Sequence, residues 1–221
     1  MNSFEPRLDT LPPAQQAIWP LLAPSIPLGL VLYGGTAIAL RLGHRTSVDF
    51  DFFTEKPFDY KDLEQGFVFL QQSKVIQRQQ DTLTVLAPVA ESEVKVSFFG
   101  SIDIGRAGVP ERTSDGTVKV ASLLDLLATK LKVILQRVEA KDYQDIAAIL
   151  RSGLRLEEGL AAATELFAPG FQSSEAIKAM TYFEGGDLDR LSSSDRNVLT
   201  RAASMIRRTP VVGRLSHTLG A

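Results

Sequence analysis

An α+β fold, a mixed β-sheet half followed by a C-terminal helical region, is what this 221-residue sequence predicts. Three observations lead there. Residues 28 to about 120 mix short β-branched and aromatic runs with glycines and turns. Residues 121 to about 208 are rich in Ala, Leu, Lys, Arg and Glu at helical spacing. Along the chain a strand and a helix come first, then more strands, then helices, an order that segregates the element types. We therefore expect two regions, 1–120 and 121–221.

Taken in order, "PPAQQAIWPLLAPSIP" reads as a short helix bracketed by prolines, with Trp19 and Leu22 facing inward. "GLVLYGG" is a strand ending in a tight glycine turn. "TAIALRLG" is a helix with Thr36 at its start and Gly43 past its end. "SVDFDFF" is a strand, and "DYKDLEQGFVFLQQ" a helix interrupted by Gly66. "TLTVLAP", "EVKVSFFG" and "GTVKVAS" carry the alternation of strands. After them "LLDLLATKLKVILQRV", "DYQDIAAILRSG", "LEEGLAAATELFA", "SSEAIKAMTYF" and "SSDRNVLTRAASMIRR" are helical by period, and the tail "TPVVGRLSHTLGA" is irregular.

Composition removes several classes of chemistry. Apolar residues make up 44% and charged residues 23%, enough for a core of useful size. A formal charge of −2 means that nucleic-acid binding needs a local basic patch. No cysteine is present, which excludes disulfides, thiolate zinc sites and Cys nucleophiles, and two histidines are too few for a His-rich metal site. No apolar run reaches the roughly 20 residues of a membrane span, and the N-terminus lacks the basic and apolar regions of a secretory signal, so a cytoplasmic protein without membrane partners is expected.

The stretch "LYGGTAIALRLGHRTSVDFDFF" concentrates the unusual chemistry. Strand alternation sends Val48, Phe50 and Phe52 one way and Asp49, Asp51 and Phe53 the other. The two carboxylates share a face about 7 Å apart. Like charges this close resist ionisation in a dry site, and a divalent cation between them removes the conflict. Hard oxygen ligands suit Mg²⁺. Gly34 and Gly35 let backbone approach a ligand, and the helix start at Thr36 favours phosphate. Arg45 and Ser47 lie between and can add phosphate contacts. The same residues also fit a two-sided strand with its aspartates in solvent.

With those residues in place the stretch resembles the first motif of the AbiEii/AbiGii-type nucleotidyltransferases of the DNA polymerase β-like superfamily. Gly34, Gly35, Thr36, Arg45, Ser47, Asp49 and Asp51 fill its positions in order. A second block, "LLATKLKVILQRVEAKDYQDIAAIL", is similar to the family's later motif, with Lys130, Arg137, Lys141, Asp142 and Asp145 in place. The resemblance covers roughly residues 28–150. It implies a polymerase β-like nucleotidyltransferase core over 1–120 and a Mg²⁺-dependent transfer of a nucleoside monophosphate from an NTP to an RNA (a tRNA 3′ end among the options) or a protein. It also implies a toxin of a toxin–antitoxin or abortive-infection system, with a cognate antitoxin as partner.

The roles it implies are as follows. Asp49 and Asp51 hold the metal and act catalytically with Lys130, Asp142 and Asp145; Gly34, Gly35, Thr36, Arg45, Ser47 and Arg137 bind the nucleotide. Spacing is compatible with this, because Lys130 and Arg137 share a helical face, as do Asp142 and Asp145. A solvated charged stripe fits the same spacing. Ser97, on a face with Glu93 and Lys95, stands where such enzymes often carry a third carboxylate. The alternative is therefore an inactive module of the same fold that binds a nucleotide or a protein. Lys95 can face the aspartates or balance Glu93, and His44 can contact a ligand or cap the preceding helix.

Overall fold

In the computed structural model, residues 3–207 and 210–220 are described. The chain divides into two compact units, the first drawn from Met1–Gly105, Val109–Ala121 and Ser216–Ala221, the second from Arg106–Gly108 and Ser122–Leu215. The loop at 106–108 and the tail after 215 thus change sides relative to a simple cut near residue 120.

The first unit is built on one mixed sheet. Its strands are β1 (Ser3–Phe4), β2 (Val31–Tyr33), β3 (Phe50–Phe53), β4 (Lys74–Gln79), β5 (Thr82–Val89), β6 (Ser92–Phe99), β7 (Glu111–Thr113) and β8 (Lys119–Val120). Their order is β1-β7-β8-β2-β3-β6-β5-β4. The middle mixes directions, since β2 runs antiparallel to β3 while β3 runs parallel to β6. Phe50, Phe52, Val96 and Phe98 on one face are fully buried. Burying the side chain of one such residue stabilises by about 1.5–3 kcal/mol, so this cluster fixes which way the strands face. Trp19 packs on Phe50 at 6.2 Å between ring centroids, and Phe67 lies 4.9 Å from Phe98.

Around the sheet lie α1 (Pro13–Ile18), α2 (Gly34–Leu42) and α3 (Tyr60–Gly66). Pro13 opens α1, where its missing N–H costs nothing, and the chain then tightens into a 3-10 helix, Trp19–Ser25. α2 stops at Gly43, which takes a left-handed conformation with φ of 66°. The segment expected as one helix over 59–72 is two pieces, α3 and a 3-10 turn at Val68–Gln72. Gly66 closes against Leu28 and Pro24, and burial of Phe67 among Phe52 and Phe98 turns the chain. Among the described residues of the tail there is no helix, yet Leu219 is buried and its N–H donates to Glu55.

The second unit is helical: α4 (Leu123–Val133), α5 (Ala140–Arg151), α6 (Leu156–Phe167), α7 (Ser173–Thr181) and α8 (Ser193–Met205). Ser122 caps α4 by accepting from the Asp125 N–H, and Ser192 caps α8 from Asp195 in the same way. α6 approaches α4 through Gly159, where a Cβ would lie 2.3 Å from a Leu127 methyl. Arg151 ties α5 to α8 by a 2.6 Å ion pair with Asp195. Among the described residues no helix is long and apolar enough to cross a membrane.

Candidate functional site

The first group of residues sits where β2 meets α2 and β3. Gly34 opens α2 with φ of 76°, a conformation that costs other residues about 1–2 kcal/mol. A Cβ there would lie 2.8 Å from Asp51 Oδ2. The glycine is required twice over, by its dihedral and by the carboxylate it faces. Gly35 follows as the second helical residue. The backbone N–H groups of this first turn have no partner inside the helix, which makes the turn receptive to anions.

Asp51 lies within β3, with Tyr33 of β2 opposite it on one side and Ser97 of β6 on the other. Ser97 is itself paired with Thr84 of β5 and is buried. A hydroxyl residue therefore borders Asp51 where a third carboxylate was looked for. Asp49 differs from expectation in its setting: the strand begins at Phe50, so Asp49 is the last residue of a loop and Val48 is half exposed rather than in the core.

That loop is nonetheless held at three points. The Ser47 N–H donates to the Thr10 carbonyl at 3.1 Å. Gln15 Nε2 donates to the Val48 carbonyl at 3.0 Å. Thr36 Oγ1 donates to the Asp49 carbonyl and lies 2.8 Å from Ser47 Oγ. Thr36 and Ser47 are buried, so their hydroxyls are turned inward and act on Asp49 through its backbone. Arg45 reaches back to the Thr46 carbonyl at 3.0 Å. Lys95 of β6 brings its ammonium to 3.9 Å from Asp49 Oδ2, with both side chains about two-fifths exposed (45% and 39%). The strand pattern left Lys95 open between two neighbours; the fold brings it to the aspartate.

The second group lies on α4, on α5 and in the connection between them, and is of another kind: α4 ends at Val133, so Arg137 sits in that connection and does not share a helical face with Lys130 as expected. Lys130 Nζ is 2.5 Å from Asp142 Oδ1 and 2.7 Å from Asp145 Oδ2. Arg137 adds Nε and Nη2 contacts to Asp142 at 2.8 and 3.1 Å. Neither aspartate side chain is exposed at all, and that of Lys130 is 7% exposed, whereas Arg137 is 46% exposed. Burial opposes charge on Asp142, but the Arg137 hydrogen bond and the Lys130 charge outweigh it and hold its carboxyl below the ordinary range. Lys141 faces Glu139 at 2.8 Å instead. The charged stripe of the sequence is thus partly an internal network, with Arg137 as the member best placed to meet solvent.

Comparison with known proteins adds a second line. A family model described as nucleotidyl transferase AbiEii toxin, type IV toxin–antitoxin system, matches residues 23–207. A curated protein of Aquifex aeolicus (strain VF5), named "Uncharacterized protein aq_aa25", is 33% identical over 156 residues, which is 69% of this chain and 73% of that protein.

Proposed function

This chain belongs to the AbiEii nucleotidyl transferase toxin family of type IV toxin–antitoxin systems, and from that premise we propose that it transfers a nucleoside monophosphate from an NTP to an acceptor hydroxyl, with RNA, such as a tRNA 3′ end, as the favoured acceptor. The observation that carries this reading is the contact between Gly34 and Asp51. A left-handed glycine at a helix start, where a Cβ would lie 2.8 Å from Asp51 Oδ2, brings backbone and carboxylate together with no side chain between them, and a helix start favours phosphate.

The donor set fits Mg²⁺. Asp49 and Asp51 offer hard carboxylate oxygens. Among the described residues no group of three or more His, Cys, Asp or Glu is disposed to hold a metal, so nucleotide phosphates and water would complete the shell. When bound, Mg²⁺ supplies charge neutralisation of the triphosphate and polarisation of the reacting oxygens. The chain's own residues do the rest. Gly34 and Gly35 orient the phosphates through backbone N–H groups. Thr36 and Ser47 hold Asp49 in register by their hydrogen bonds. Arg45 offers a guanidinium fork for a phosphate.

In the transfer the acceptor oxygen forms a bond to the α-phosphorus, the bond from that phosphorus to the α,β-bridging oxygen breaks, and pyrophosphate leaves with the negative charge. The acceptor hydroxyl loses its proton to solvent. In the second unit we assign Arg137 to phosphate. Lys130, Asp142 and Asp145 act as the positioning network beneath it, since their polar atoms are committed to one another. A cognate antitoxin is the expected partner of a toxin of this family.

Incubation with total RNA and NTP labelled at either the α or the γ phosphate tests the reading. Label from the α position in RNA, with γ label in pyrophosphate, is the expected result. Label from the γ position in the product makes the protein a kinase and overturns the proposal. Saturable NTP binding with no label transferred to RNA or protein assigns it instead to the binding-module reading, which Ser97 beside Asp51 favours.

A further inference from the structure

The acidic face of the first unit carries a lysine that the nucleotidyl-transfer reading leaves unused. Lys95 projects from β6 to within 3.9 Å of Asp49, on the strand that places Ser97 beside Asp51. An ion pair this exposed adds little stability, so the contact matters for what it does to the local charge. Two-metal phosphoryl-transfer sites hold their ions about 3.5–4 Å apart and need carboxylates for both. Here an ammonium stands 3.9 Å from Asp49, no group of three or more acidic or histidine ligands forms among the described residues, and the strand beside Asp51 offers a buried hydroxyl, Ser97.

We propose that Lys95 stands as a fixed monovalent cation beside Asp49, so that Asp49 and Asp51 accept one divalent ion and not two. The inference rests on the metal reading of those two aspartates given above. With one divalent ion and the ammonium the face carries a net charge of +1, which attracts a triphosphate. A second divalent ion would meet the ammonium at close range without a carboxylate of its own.

Manganese binding to the full-length protein, followed by the loss of the free Mn²⁺ electron paramagnetic resonance signal, tests this without any turnover. Wild type should bind one Mn²⁺. Removing the ammonium with Lys95→Met should tighten that site about tenfold, the effect of one unit charge a few ångströms away in a partly screened setting. Lys95→Arg, which keeps the charge, should match wild type, and Lys95→Met combined with Ser97→Asp should bind two. Because the Lys95 side chain is about two-fifths exposed, the single Lys95 variants should retain the wild-type circular dichroism. Two ions on wild type, or one ion held equally by wild type and Lys95→Met, overturns the inference alone. Binding unaltered by Asp49→Asn and Asp51→Asn together, or no Mn²⁺ bound at all, overturns the metal reading and this inference with it.

Discussion

Replacing Lys130 by methionine removes a cation that touches both buried aspartates. The alkyl stem is nearly preserved, so the change isolates the ammonium, which sits 2.5 Å from Asp142 and 2.7 Å from Asp145. Breaking a buried pair by deleting one partner costs about 3–5 kcal/mol, because a charge is left without compensation. Asp142 keeps Arg137 at 2.8 Å, which places the expected loss near the lower end, about 3 kcal/mol at neutral pH. Urea unfolding followed by circular dichroism measures it.

The pH dependence adds a second check. The folded-state pKa of Asp142 is lowered, so its stabilising contribution is present above the unfolded carboxylate pKa and is lost as pH falls through the lower folded value. Wild type should therefore weaken as the pH drops below about 4. Lys130→Met should weaken less steeply there, because protonation also relieves negative charge that has lost the ammonium. The deficit of the variant thus shrinks in acid. Adding Asp142→Asn and Asp145→Asn to Lys130→Met should recover much of the loss at pH 7. A Lys130→Met variant within about 1 kcal/mol of wild type, the range of an exposed pair, or a deficit that does not shrink in acid, refutes the reasoning.

Gly34→Ala should lose about 1–2 kcal/mol from its positive φ alone and, because Asp51 must move, most of its transfer activity; thermal melting and label incorporation read the two effects, and an active Gly34→Ala contradicts the packing at Asp51. Thr36→Val should cost about 1–3 kcal/mol by stranding its buried hydrogen-bond partners and lower activity, while Thr36→Ser restores both, as measured by urea midpoint and initial rate. Gly159→Ala should destabilise the second unit by about 1–3 kcal/mol through overpacking on Leu127, with nucleotide binding measured by calorimetry left unchanged.

The parts of the fold that could be read from sequence are those where burial imposes a period. "FDFF", "TLTVLAP" and "EVKVSFF" alternate because one face is packed with Phe and Val, and the five late helices show their apolar stripes. β4 has no such signature: every residue of "KVIQRQ" is exposed at the sheet edge, so no face is selected for apolar side chains. β1 and β7 are too short to show a period. Gly34 and Asp51 could be singled out in the sequence, but the contact between them depends on how β2, α2 and β3 meet. The inward turn of Thr36 and Ser47 was not legible, since a hydroxyl reads the same whether it meets ligand or backbone. Asp142 and Asp145 could be placed on one helix face, but the expected shared face of Lys130 and Arg137 is broken by the end of α4 at Val133, and the enclosure of Lys130 with the aspartates depends on how α4 and α5 pack, which spacing alone does not encode.

The assignment of Asp51 to nucleotidyl transfer is tested most directly by comparing the initial rate of α-labelled nucleotide incorporation between wild type and Asp51→Asn, an isosteric change that removes the charge and one acceptor oxygen. A fall of about a thousandfold, matching several kcal/mol of lost transition-state stabilisation, with unfolding midpoints alike, is the expected result; equal rates for the two proteins contradict it.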